Sequence, residues 1–514
     1  MPHTSTLSTT EPPAPFIHLC QRAGQILLRG KSQHGNYQDL AKPGESDGIF
    51  VEWDWNGDRL RFRNCRFGHL PLYYYATANA IVVSVALLPL IEEGAPAELD
   101  DTSVAFFLRR GYCAGNDTLF KAIHLLPPNS VGEWRPGSGL RVTGGPVRSI
   151  RQNRTPESAK AAFIQLFREA VQRRVPRGAA AVPLSGGRDS RHVLLEMCTA
   201  GYSSVSAYTM RHFPPRVDED ARVAALVAEA VGVPHHILEH APSVVDIERR
   251  KNQRMSFATD WGAWFLTVLD EVAGKVNHIY GGYGGDTLSR GTVLDNTRME
   301  LWLAGKIEEL ATFMMTRRPV SELALKRTMD GAAYERFNVD LARTRLVEEL
   351  HQHVDQPNPD LAYTFTNALR KRTGPQWLPM SSDVSHIYLP FLDHALYDLL
   401  TSIPLETMLD IGFHTDAIYA ASPQHKNVPF EDKPNVKRAE NSFFQRYARE
   451  MTEYTVTRDT SEFYDLDQLV ERFAACSKNG DARHFLWMEP PRILCLLQLE
   501  EALKSAKKQT TVQP

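Results

Sequence analysis

Paired cysteines, net charge and long apolar runs are what this 514-residue sequence has least of. Its six cysteines (Cys20, Cys65, Cys113, Cys198, Cys476 and Cys495) are scattered with no CxxC pair, which argues against a zinc ribbon, an iron–sulfur cluster or a secreted disulfide framework. Lysine and arginine number 58 against 61 acidic residues, a net charge of −3. That balance leaves no electrostatic footprint for nucleic acid. The longest apolar run, "AIVVSVALLPLI" at 80–91, is too short to span a membrane and contains a proline, so it is expected to be a core strand and a turn. The N-terminus has neither the basic and apolar regions of a signal peptide nor an Arg-rich transit character. A reducing, cytoplasmic setting is the expectation, with no membrane partner.

What is present divides the chain. Residues 1–16, rich in Thr, Ser and Pro, read as a flexible arm. From Phe50 to Leu90 short alternating runs are broken by turn signals, and Asn56-Gly57-Asp58 between two of them predicts a hairpin. A mostly β domain over 17–145 follows from this. The stretch from Pro136 to Thr155 is rich in Gly and Arg and reads as an exposed linker. It ends at Thr155-Pro156, a cap followed by proline at the first helical position. Beyond it, apolar runs alternate with helical periodicity: "AAAVPL", "SRHVLLEMCTAG", "VSAYTM", "DEDARVAALVAEAVG", "HHILE" and "VNHIY". Strand, helix, strand, helix predicts an α/β fold with a parallel sheet. From about residue 300 the pattern is mainly helical.

Two glycine clusters fall at strand ends, where ligands of open α/β sheets sit. Ser185-Gly186-Gly187-Arg188-Asp189-Ser190 follows an apolar strand and opens a helix, which offers backbone N–H groups and a helix dipole to phosphate. It lacks the lysine and spacing of a Walker A loop. The hexad resembles the pyrophosphate loop of N-type ATP pyrophosphatases. The second cluster, "YGGYGGDTL" from Tyr280, includes Gly281 and Gly282 and supplies Asp286. Asp189 and Asp286 suit Mg²⁺, which is usually held by one or two carboxylates plus phosphate oxygens.

Further segments carry a family resemblance. "CRFGHLPLYYY" (65–75), "FFLRRGYCAGNDTLFKAIHLLPPNS" (106–130) and "LPFLDHALYDLLTSIP" (389–404), in order around the two glycine clusters, resemble asparagine synthetases, β-lactam synthetases and lasso-peptide macrolactam cyclases. The resemblance implies an N-terminal Ntn-type glutaminase-like domain over 17–145 and a PP-loop, adenine nucleotide α-hydrolase-like synthetase domain over 155–505. It also implies ATP and Mg²⁺ as cofactors, with Ser185 to Ser190, Met210, Gly281 and Gly282 around the nucleotide. Glutaminase chemistry in this family needs a cysteine after the initiator methionine, whose α-amino group serves its own thiol as base. Pro2 stands there, so the N-terminal domain is expected to be an inactive remnant, with Cys20 and Cys65 as buried small hydrophobes.

Other site residues follow from the same resemblance. Tyr283 occupies a position where β-lactam and carbapenam synthetases have a tyrosine that helps deprotonate the attacking nitrogen. Its expected carboxylate partner, upstream of "PFLD", has no glutamate to fill it; Asp383 is the candidate, with His386 as another. Lys433, or failing that Lys437, is expected to neutralise charge as pyrophosphate departs. The implied reaction adenylates a carboxylate, of a small molecule or a peptide, and passes the acyl group to an amine, as in lactam or macrolactam formation. Asparagine synthesis from aspartate and ammonia is the runner-up. A PP-loop tRNA-modifying enzyme and a catalytically dead scaffold, the latter suggested by Pro183 and Arg188, are further alternatives. A homodimer is compatible with the sequence and not required by it.

Overall fold

The computed structural model describes residues 14–39, 48–211, 218–290, 296–316, 322–381, 384–404, 412–431, 442–479 and 489–512. Two antiparallel five-stranded sheets build the N-terminal part. One contains β1 (Phe16–Arg22), β2 (Gln25–Gly30), β6 (Tyr73–Ala76), β7 (Ala80–Ser84) and β8 (His124–Leu125) in the order β2-β1-β7-β6-β8. The other contains β3 (Gln33–Gln38), β4 (Ile49–Trp55), β5 (Leu60–Asn64), β9 (Ser130–Arg135) and β10 (Gly139–Gly144) in the order β10-β9-β5-β4-β3. The Asn56-Gly57-Asp58 turn joins β4 to β5: Gly57 takes φ +96°, and the Asn56 side chain accepts from the N–H groups of Asp58 (3.0 Å) and Arg59 (2.8 Å). The run at 80–91 gives β7 and then a short helix, Leu88–Glu92.

Two boundaries differ from the sequence expectation. Phe16, assigned by composition to the arm, opens β1, where it pairs with Ser84. Part of the expected linker is strand: β10 pairs with β9 from Gly139–Arg135 to Gly144–Ser130. It is an edge strand with largely exposed side chains, so it carries no apolar alternation to announce it.

The third sheet is parallel, in the order β13-β12-β11-β14-β15, from β11 (Ala180–Pro183), β12 (Val205–Met210), β13 (His235–Leu238), β14 (His278–Tyr280) and β15 (His386–Tyr388). Strand order grows outward from β11 in one direction and then returns to β14 on its other side. The switch point, where ligands of such sheets bind, therefore lies between β11 and β14. Pro183 is tolerated because Leu184 N–H already bonds Tyr208 O (2.8 Å) on the β12 side. Alternation turns residue 183 toward β14, whose pairing with β11 ends at Ala181–Ile279, so no ladder bond is lost.

The helix Pro156–Arg173 starts where Thr155 caps it, the side chain accepting from Ser158 N–H at 3.2 Å. It buries Phe163, Phe167, Ala170 and Val171, with Phe167 4.5 Å from the Phe391 ring and 4.1 Å from the His192 ring. The next residue, Arg174, is fully buried and joins the two parts of the chain: its Nη2 donates to Asp39 at 2.8 Å and its Nη1 to Asp393 at 3.2 Å. Asp39 also accepts from Leu389 N–H (3.0 Å), and Gln38 from Ile387 N–H (2.9 Å). One continuous apolar core runs from Ile17 and Phe62 through Phe163 to Leu400. Among the described residues no helix is long and apolar enough to cross a membrane.

Candidate active site

Both glycine loops leave the carboxyl ends of the strands that flank the switch point, one after β11 and one after β14. They touch. A Cβ on Gly282 would stand 2.6 Å from Ser190 N and 2.8 Å from Asp189 C, and one on Gly285 would stand 2.6 Å from Asp189 Cγ. Only glycine lets the second loop come this close, which explains the residue type in chemical terms.

The first loop is internally braced. Ser185 N–H donates to Ser190 Oγ at 3.0 Å, the two hydroxyls lie 3.1 Å apart, and Gly187 N–H donates to Ser185 Oγ at 3.2 Å. Asp189 is the first residue of the helix Asp189–Thr199, and its half-buried carboxylate lies 3.3 Å from His414 Nδ1. That imidazole also meets Ser289 Oγ (2.8 Å) and, through Nε2, His192 Nδ1 (3.1 Å). Burial, then the charges of His414 and Arg168, hold His192 well below the usual histidine range. Asp286 is exposed at the head of the helix Gly285–Arg290, beside the glycine that packs on Asp189. Oxygen donors from two adjacent loops fit Mg²⁺. Among the described residues no three or more His, Cys, Asp or Glu side chains gather into a metal site, so an ion here would complete its shell from substrate oxygens or water.

The sequence did not announce three neighbours of the first loop. Asp220, in an acidic helix start that reads as ordinary capping, accepts from Gly186 N–H at 2.8 Å. A segment at 428–431 lies across the loop: Glu431 N–H donates to Gly186 O (3.0 Å), and Arg191 donates to the carbonyls of Val428 (3.0 Å) and Pro429 (2.5 Å). The Phe430 ring lies under two guanidinium groups, Arg191 at 4.0 Å and Arg188 at 4.7 Å. Arg188, foreign to the expected loop pattern, also donates to Thr415 Oγ1 at 2.5 Å. Neither Arg191 nor Phe430 carried a signal in the sequence.

Tyr283 is buried, and its hydroxyl donates to Leu369 O at 2.7 Å. Its ring meets His69 edge-on at 5.5 Å and Trp377 at 6.4 Å. Burial, then the nearby Asp286 charge, raise its pKa well above the usual tyrosine value. His69, also buried, is pushed down to about 3 by burial and then Arg370. Met210 closes β12 and is half-buried against the core. His386 lies in β15, its ring 5.8 Å from that of His278. Asp383, Lys433 and Lys437 lie outside the described residues. Cys65 is buried, and Cys20 is half-buried in β1.

The scan against protein families matches the asparagine synthase family over residues 162–412. Residues 162–412 form an asparagine synthase domain. This domain contains the parallel sheet, both glycine loops and Asp189, with the Asp189 partner His414 and the 428–431 segment just beyond its end. Its family supports a ligase-type enzyme that uses ATP. No curated protein matches the chain. Among solved structures, the U34-tRNA thiolase NcsA from Methanococcus maripaludis, solved with its 4Fe–4S cluster, is 12% identical, with 65% of this chain and 86% of that chain covered and a TM-score of 0.24. A glutamine-dependent NAD+ synthetase from Acinetobacter baumannii, solved with ADP, is 15% identical, with 51% of this chain and 61% of that chain covered and a TM-score of 0.19.

Proposed function

We propose that the chain is an amide-forming ligase that splits ATP to AMP and pyrophosphate, joining a substrate carboxylate to an amine in lactam, macrolactam or specialised amide formation. The observation that carries the reading is the contact between the two glycine loops, with Gly282 and Gly285 packed on Asp189. It supports the reading by setting the 185–190 loop, the start of the helix Asp189–Thr199 and the loop that carries Asp286 side by side.

In this reading the 185–190 loop holds the phosphates, and Asp189 and Asp286 hold Mg²⁺, which offsets phosphate charge when bound. A carboxylate oxygen attacks the α-phosphorus, the bond to the β-phosphate bridge breaks, and pyrophosphate leaves with Lys433 taking up the developing charge. The amine nitrogen then attacks the acyl carbon, loses a proton, and AMP departs. Tyr283, with its hydroxyl committed to Leu369 O, orders the pocket wall in its neutral form. A phosphate oxygen reaching Gly186 N–H replaces the Asp220 carboxylate there.

The test is pyrophosphate release from ATP and Mg²⁺ with a panel of carboxylates and amino acids, with and without ammonia, comparing wild type with Asp189→Ala. Asp189-dependent release that needs a carboxylate other than aspartate is expected. Release with aspartate and ammonia, yielding asparagine, would replace the lactam reading with asparagine synthesis. The second reading is a catalytically dead scaffold, favoured by one observation: Asp220 already occupies the Gly186 N–H. No release with any carboxylate, together with no ATP binding by wild type or Asp220→Asn, would establish it.

A further inference from the structure

A cavity of about 100 Å³ lies on the carboxyl side of the parallel sheet, away from the phosphate loop. Its place follows from the chain path. His240 and Ala241 come directly after β13, and the helix Phe265–Val272 leads back to β14, so its first turn and the residues before it stand at the carboxyl ends of the strands. The walls are apolar and aromatic: Trp261, Trp264 and Tyr447 with Val244, Ile247 and Ala263. The size is on the order of the roughly 150 Å³ that accommodates a benzene ring.

Two buried side chains, Phe265 beside the wall residue Trp264 and then Trp377, connect the cavity to the second glycine loop. The Trp377 ring lies 4.7 Å from Phe265, 6.4 Å from Tyr283, and so close to Gly281 that a Cβ there would come within 2.6 Å. On the same face Gly262 packs on Gln376, where a Cβ would come within 3.0 Å.

The charged side chains that line the cavity are acidic, and cations stand directly behind them. Glu248 and Asp260 line it, and among the described residues no lysine or arginine does. Both acids are already engaged from behind, Glu248 by Lys251 at 2.8 Å and Asp260 by Arg492 at 2.6 Å and Arg372 at 3.0 Å. A second carboxylate on the substrate would thus be desolvated among apolar walls, where the nearby cations are already paired with Glu248 and Asp260. An apolar ring would instead gain the contact area of two indoles and a phenol.

We propose that this cavity takes an aromatic or bulky apolar side chain of the carboxylate substrate, and that it excludes dicarboxylates such as aspartate. The inference rests on the ligase reading for its substrate, but it can be tested by binding alone. The probes are 3-phenylpropanoate and succinate, each titrated against the full-length protein while tryptophan fluorescence is followed and affinities are checked by calorimetry. The expected result is at least tenfold tighter binding of 3-phenylpropanoate, weakened tenfold or more by Trp264→Ala and largely restored in Trp264→Phe. Ala263→Phe, which fills the cavity, should abolish it with the fold intact by circular dichroism.

Equal or tighter binding of succinate, no binding of either probe, or binding indifferent to both Trp264→Ala and Ala263→Phe would overturn the proposal. If 3-phenylpropanoate binds as expected and no carboxylate elicits pyrophosphate release, the cavity assignment stands and the ligase reading fails. Release without cavity-dependent binding gives the reverse.

Discussion

The contact between the two loops predicts how a single methyl group should act. In Gly282→Ala the new Cβ would sit 2.6 Å from Ser190 N and 2.8 Å from Asp189 C. Both are backbone atoms at the start of a helix, so the contact cannot be relieved by turning a side chain. Reaching ordinary van der Waals separation requires the loops to part by about 0.8 Å, and displacements near 1 Å at a reacting centre cost about 10²-fold in rate. Gly284→Ala is the internal control. Its φ is +91°, but its Cβ would meet only side chains at ordinary contact, Leu288 and Leu392 at 3.5 Å and Phe391 at 3.7 Å. That variant should lose about 1–2 kcal/mol of stability from the left-handed backbone and keep the loop spacing. Asp189-dependent pyrophosphate release and urea denaturation, measured on both variants, separate the effects: Gly282→Ala should lose about 100-fold in rate, and Gly284→Ala should lose stability with a rate within about threefold of wild type. A folded Gly282→Ala protein with wild-type rate would show that the two loops do not form one reaction centre.

Three further outcomes follow from buried polar groups. Asp39→Ala strips Arg174 of its main partner and should destabilise the chain by about 3–5 kcal/mol, read from urea denaturation. Glu349 is buried, which alone would raise its pKa, yet hydrogen bonds from His353 and Asn367 and the Arg345 charge bring it down to about 2. A depressed carboxylate stabilises the fold above its unfolded value and loses that contribution as pH falls from about 4.5 through about 2. Wild type should therefore lose more stability between pH 6 and pH 3 than Glu349→Gln, and parallel pH profiles would refute the assignment. Tyr283→Phe removes the bond to Leu369 O and should cost about 1 kcal/mol of stability while keeping pyrophosphate release within about tenfold; a loss of about 10³-fold or more would instead mark the hydroxyl as an acid or base in the reaction.

Local chemistry made much of this fold legible from sequence. Thr155-Pro156, the Asn56-Gly57-Asp58 turn and the alternation from Ala180 to Tyr280 each state a structure through caps, turn residues or period. β15 escaped because three residues, His386 to Tyr388, are too few to show a period, and the surrounding sequence reads as loop. Arg370-Lys371-Arg372 looks like a solvated surface and is the opposite. In the π-helical stretch Phe365–Thr373, Arg370 donates to Gly68 O (2.9 Å) and Lys371 to Asp117 O (2.9 Å), and burial brings Lys371 down to about 8. At the site, the glycines and Asp189 were readable because their chemistry is local. His414 on Asp189, Asp220 on Gly186 and Phe430 beneath the two arginines join segments far apart in the chain, and one sequence holds no trace of such meetings.

The shared core bears on what can be removed from this chain. Gln38 and Asp39 hold the edge of the parallel sheet through Ile387 and Leu389, and Arg370 reaches back to Gly68, so the N-terminal sheets act as a wall of the synthase domain whatever chemistry they retain. A cut between Gly145 and Thr155 would bare apolar surface on both halves and leave Arg174 facing water in one of them. Heated intact, the two parts should melt in a single calorimetric transition, because neither keeps an interior of its own.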